Sequence, residues 1–113
     1  SLSNPVGGEI TGDTSAILAS APAGTPVVAV HPGVVTYAEP FAGLGTLVIL
    51  DHGDGYFSLY GYLAATDLSQ GDHVEAGEVV GQVGLPPSGP PALYFEMRVD
   101  GRPVDPLQWL RPR

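Results

Sequence analysis

The chain has no cysteine, which rules out a disulfide framework and a thiolate metal site. That absence fits a reducing and an oxidising compartment equally well. There is no lysine either. The 4 basic residues, Arg98, Arg102, Arg111 and Arg113, face 12 acidic ones, for a formal net charge of -8. Such a balance argues against nucleic acid, where basic side chains must displace condensed counterions, and against an anionic lipid surface. No apolar run approaches the ~20 residues of a membrane-spanning helix, so no membrane insertion of this domain is expected.

What is present points to short strands. The 113 residues suffice for one domain with its own core, and 43% of them are apolar. The 16 glycines and 12 prolines punctuate the chain at short intervals, a spacing that suits hairpins better than helices. Residues 1–8 read as a linker or an edge, and 9–113 as the domain. Strands are expected at Thr25 to Val30, Val34 to Ala38, Thr46 to Leu50 and Tyr56 to Leu63. A loop at 39–45 and a hairpin signal at Asp51-His52-Gly53-Asp54-Gly55 separate them. Two hairpin-like units, 71–77 and 78–84, follow, and at most one helical turn is expected at 64–70 or 106–110, with Trp109 as a core plug.

The strand that organises the rest is Pro91 to Val99. Its alternation puts Leu93, Phe95, Met97 and Val99 on a core face and Ala92, Tyr94, Glu96 and Arg98 on a working face. In Tyr56 to Leu63 the same reasoning puts Phe57, Leu59 and Leu63 on the core face, and Tyr56, Ser58, Tyr60 and Tyr62 on the other. The histidines receive plain readings. His31 is a solvated turn residue, His52 is architectural within its turn, and His73 lies in an acidic hairpin.

Three β families share the hairpin rhythm. Biotinyl and lipoyl carriers require a lysine, which is absent. Glucose-type phosphotransferase domains require two histidines in one pocket, whereas His31, His52 and His73 fall in separate predicted turns. The third match is closer. Gly-Thr-Pro-Val-Val-Ala-Val (24–30), Leu-Val-Ile-Leu-Asp-His-Gly-Asp-Gly-Tyr (47–56), Ser-Leu-Tyr (58–60), Gly-Asp-x-Val-x-Ala-Gly (71–77) and Phe-Glu-Met-Arg followed by Gly-Arg-Pro-Val-Asp-Pro-Leu-Gln-Trp-Leu (95–110) resemble a LytM domain. Those domains belong to the M23 zinc endopeptidases that cut peptidoglycan cross-bridges. The resemblance implies an all-β antiparallel sandwich of the duplicated-hybrid-motif type.

The family's working positions read differently here. Its zinc-binding His and Asp correspond to Thr14 and Leu18, and its third zinc ligand to Tyr94. Its catalytic histidines correspond to Tyr62 and Ala92. A catalytic zinc needs about three His, Asp, Glu or Cys ligands, so neither a metal nor any other cofactor is expected, and the chain is expected not to be an enzyme. Leu18, Leu44, Leu47, Tyr62, Tyr94, Glu96 and Arg98 then form a candidate partner-binding groove, because aromatic and arginine side chains make good anchors.

Leu-Tyr-Gly-Tyr (59–62) and Leu-Tyr-Phe-Glu-Met-Arg (93–98) are similar to the EnvC-type degenerate LytM proteins. That likeness implies a periplasmic activator of N-acetylmuramoyl-L-alanine amidases in Gram-negative cell division, whose groove takes up a regulatory helix of the amidase. An upstream coiled coil, outside these residues, accompanies such domains. Two alternatives stand beside it: a non-catalytic peptidoglycan-binding module, and an active M23 zinc endopeptidase.

Overall fold

The computed structural model describes Pro5 and residues 10–12, 16–100 and 102–104. The expected linker apart from Pro5, the possible turn at 106–110 and Trp109 therefore lie outside the described residues. Among the described residues ten strands run in the order β1 (Ile10–Gly12), β2 (Ile17–Ser20), β3 (Pro26–Val28), β4 (Gly33–Phe41), β5 (Gly45–Gly53), β6 (Tyr56–Ala65), β7 (His73–Val74), β8 (Val79–Val83), β9 (Ala92–Val99) and β10 (Arg102–Val104). Every pairing is antiparallel. No helix occurs among the described residues, and 64–70 forms none, in keeping with the reading of at most one helical turn.

β9 lies inside the order β1-β2-β9-β6-β5-β4-β7, next to the middle strand β6. One of its edges is shared by β2, at Ala92 to Phe95, and β10, at Met97 to Val99; the other runs along β6. Its alternation is as read from the sequence. Leu93, Phe95 and Met97 are buried in the core with Ile17, Val48, Leu50 and Val83 from neighbouring strands. β6 carries the topology. From Tyr56 to Gly61 it pairs with β9, and from Leu63 to Ala65 it pairs with β8, while β5 stays on its opposite edge throughout. The switch falls at Tyr62, whose φ of 60° is left-handed. Strands that change partners at such a bulge carry a sheet around a corner. Here β8 brings β3 with it to close the sandwich over the core.

From Phe57 to Tyr60 the two faces of β6 are the reverse of the sequence reading, whereas Leu63 lies in the core as read. Ser58 and Tyr60 are wholly buried on the core side, and the Tyr60 ring meets Phe95 edge to face at 5.4 Å. Their hydroxyls misled the reading, because both are satisfied internally: Tyr60 accepts from the Val30 N–H at 3.1 Å and lies 2.8 Å from Ser58 Oγ. Three smaller expectations also change. Residues 39–41 continue β4, pairing with Leu47, Thr46 and Gly45, rather than opening a loop. The units at 71–77 and 78–84 do not pair as hairpins, since β7 joins β4 whereas β8 joins β3 and β6. His31 and His52, read as separate, approach each other with ring centroids 5.5 Å apart.

Gly84 is where the corner is tightest. Its N–H donates to the Tyr62 carbonyl at 2.9 Å, and an added Cβ would sit 2.6 Å from that oxygen and 2.8 Å from the Ala64 nitrogen. Backbone atoms cannot rotate away as a flexible side chain can. Gly84→Ala is therefore expected to cost on the order of 1–3 kcal/mol or more, read as a lower urea midpoint at unchanged slope.

Candidate functional site

The outward face of the central strands carries the candidate site. Directly opposed residues of antiparallel strands share a face, so the registers collect it. Leu18 lies opposite Tyr94, and Tyr94 opposite Gly61. Leu59 lies opposite Glu96, and Phe57 opposite Arg98. On the far side Ile49 faces Tyr37 and Leu47 faces Glu39. Leu18 is 41% exposed, whereas Leu47 is only 2% exposed and backs the groove without offering much area to it. Ala92 is buried opposite Ser20 at the edge of this face.

Tyr62 reaches the same face as Tyr94 because of its bulge and not by strand alternation. Its N–H donates to the Leu44 carbonyl at 2.6 Å while its carbonyl accepts from Gly84, so both backbone groups are held. The two tyrosine rings meet edge to face at 5.8 Å. Glycine at 61 makes this possible, since a Cβ there would come within 3.3 Å of Tyr94 and 3.5 Å of the Leu44 methyl. A left-handed tyrosine costs about 1–2 kcal/mol, and such strain is typically found at working sites.

Along β9 the polar side chains form one unit. The Tyr94 hydroxyl donates to Glu96 Oε2 at 2.9 Å, and Arg98 Nε donates to Oε1 at 2.6 Å. Glu96 is 4% exposed, so its charge depends on these two partners. Burial, reinforced by the bond to Glu96, pushes the Tyr94 phenol up to about 12. Beyond Arg98 the face sinks into a hollow of about 290 Å³ lined by Thr36, Ile49, Phe57, Leu59 and Arg98. The sequence reading missed all of these except Arg98. Phe57 and Leu59 had been placed in the core, and Thr36 and Ile49 become neighbours of Arg98 only through long-range register.

Among the described residues no group of three or more His, Cys, Asp or Glu side chains is placed to hold a metal ion. At the sequence-derived ligand positions the donors do not fit a catalytic zinc. Leu18 offers hydrocarbon and Tyr94 keeps its phenol proton; the nearby carboxylate of Glu96, not one of those positions, is committed to Tyr94 and Arg98. Thr14 lies outside the described residues.

The all-β antiparallel fold and the family match make this a LytM-type domain. The chain belongs to Peptidase family M23, whose family model matches residues 13–106. The murein hydrolase activator EnvC of Escherichia coli is 42% identical to it over 77% of this chain and 21% of its own length. The DD-carboxypeptidase/endopeptidase Mpg of Neisseria meningitidis is 40% identical over 82% of this chain and 22% of its own. Among solved structures, the catalytic domain of the prophage-encoded M23 protein EnpA from Enterococcus faecalis is 35% identical with a TM-score of 0.75, covering 87% of this chain and 80% of that one. The chain thus spans about a fifth of the length of the two curated relatives, one called an activator and the other a peptidase.

Proposed function

We propose that this domain is a non-catalytic activator of periplasmic N-acetylmuramoyl-L-alanine amidases, acting during cell division. The supporting observation is the make-up of the groove. Hydrocarbon and phenol stand at Leu18, Tyr62 and Tyr94, and the one buried carboxylate there, Glu96, is tied up by its neighbours. On this reading the groove takes a regulatory helix of the amidase and holds the enzyme in its open state by binding that state better. The 42% identity to a murein hydrolase activator supports the same reading. The domain's negative charge is compatible with a protein partner and disfavours tight binding of acidic stem peptides.

The test is dye release from labelled murein. The purified domain is expected to release nothing alone, with or without zinc, and to raise release several-fold when mixed with its amidase. Zinc-dependent release by the domain alone would make it a peptidase. Retention on intact murein without stimulation of any amidase would make it a wall-binding module.

A further inference from the structure

Four hydrogen bonds run in line from the surface into the core. The Val30 N–H donates to the Tyr60 hydroxyl at 3.1 Å, and that hydroxyl lies 2.8 Å from Ser58 Oγ. Ser58 Oγ lies 2.7 Å from His52 Nε2, and His52 Nδ1 lies 2.8 Å from the Pro32 carbonyl. Ser58 and Tyr60 are both 0% exposed. Among the described residues no other partner reaches either hydroxyl.

The two ends fix the direction of the line. A carbonyl oxygen only accepts, so Nδ1 carries the ring proton; an amide only donates, so the Tyr60 oxygen accepts there. In the neutral ring Nε2 is then an acceptor. It takes the Ser58 proton, Ser58 takes the Tyr60 proton, and every donor has an acceptor. An added proton on Nε2 reverses this. His52 must donate to Ser58, Ser58 must turn its proton toward Tyr60, and the Tyr60 O–H is left without an acceptor in a dry core.

We propose that His52, Ser58 and Tyr60 form an acid-sensitive latch, in which proton uptake at His52 reverses the line, strands the Tyr60 hydroxyl and loosens both the 30–32 turn and β6, the strand that carries Tyr62. Burial is the largest influence on the ring and lowers its proton affinity. The titratable groups acting on it are His31, which also disfavours the proton, and Asp51, which favours it; the Pro32 carbonyl favours it too. On β4, Gly33 leaves room for the ring because a Cβ there would sit 2.9 Å from Nδ1, and β6 presents Ser58 with Tyr60 behind it. The sign follows from linkage. The folded ring releases its proton more easily than the unfolded one, so the stability it contributes is full above pH 6.5 and is lost as pH falls below that value toward the folded pKa.

Nitrogen-15 NMR of the intact chain tests this. At pH 7.5 His52 should be the Nδ1–H tautomer. Below pH 6.5 the folding constant should fall by up to tenfold per pH unit, and exchange of the Val30 amide, corrected for its intrinsic rate, should accelerate in step with His52 titration. In Ser58→Ala the Val30 amide should no longer follow His52, whereas in His31→Asn it should still do so. An Nε2–H tautomer at neutral pH, a Val30 amide indifferent to acid, or coupling that survives Ser58→Ala would each overturn the latch. Loss of the acid response in His31→Asn would assign it to repulsion between the two rings and overturn it equally.

Discussion

Tyr60→Ala is expected to leave most of the chain unfolded at 25 °C. The ring is wholly buried, lies against Phe95 at 5.4 Å, and is among the largest side chains in the core. Removing an aromatic ring from such a site costs roughly 3–5 kcal/mol, since the surroundings close only partly over the cavity. The Val30 N–H loses its acceptor as well, for about 1–3 kcal/mol more. Set against a typical domain stability of 5–15 kcal/mol, those two losses remove much or all of it. Tyr60→Phe separates the terms, because it keeps the ring and loses only the hydroxyl, and should cost about 1–3 kcal/mol. Urea titration of both variants measures this; a loss below ~1 kcal/mol for the alanine variant would take Tyr60 out of the core's support. Burial pushes the Tyr60 phenol up to about 12. Its stabilising effect is therefore full below pH 10 and lost as pH rises toward 12, and Tyr60→Phe should flatten that alkaline loss in part, with Tyr94 supplying the rest.

β9 was legible because it alternates without exception and its polar residues really do face outward. β6 was not, for two physical reasons. Tyrosine and serine count as polar in a pattern, yet a buried hydroxyl with a partner costs little, and here Ser58 and Tyr60 supply each other's partners. The second reason is the bulge at Tyr62, which shifts the alternation by one so that Tyr62 faces the groove and Leu63 the core. The sequence reading therefore placed Tyr62 correctly on a mistaken argument. β4 was cut short at Ala38 because 39–45, with Pro40 and two glycines, reads as a loop. Beyond Val35, however, β4 has no backbone partner on its outer edge among the described residues, so the missing N–H at Pro40 breaks no bond there. The motif blocks carried the family, since they span both ends of the chain in order. The hollow beside Arg98 was out of reach, because its lining comes from four strands whose registers no local pattern specifies.

In the groove, Tyr94→Ala is expected to weaken the amidase by about 2 kcal/mol, roughly 30-fold in affinity, and to abolish stimulation at working concentrations. Tyr94→Phe should stay within a few-fold, because it keeps the ring that meets Tyr62 and gives up only the bond to Glu96. Arg98→Ala should also abolish stimulation, but it will not leave the melting curve untouched. Glu96 is buried and would lose the one cationic partner it has among the described residues, so a stability cost of about 1–2 kcal/mol is expected, held down because the arginine side chain is 42% exposed. Adding Glu96→Gln to Arg98→Ala should recover much of that stability without restoring stimulation, which separates the fold from the docking surface. Tyr62→Gly is the complementary variant. It relieves the left-handed backbone while deleting a ring, so its melting temperature should move little although its stimulation falls. Dye release from labelled murein, with thermal melts on the same samples, reads all of these together. Full stimulation by Tyr94→Ala, Arg98→Ala and Tyr62→Gly alike would remove the groove from the activation mechanism and leave the amidase bound elsewhere on the domain.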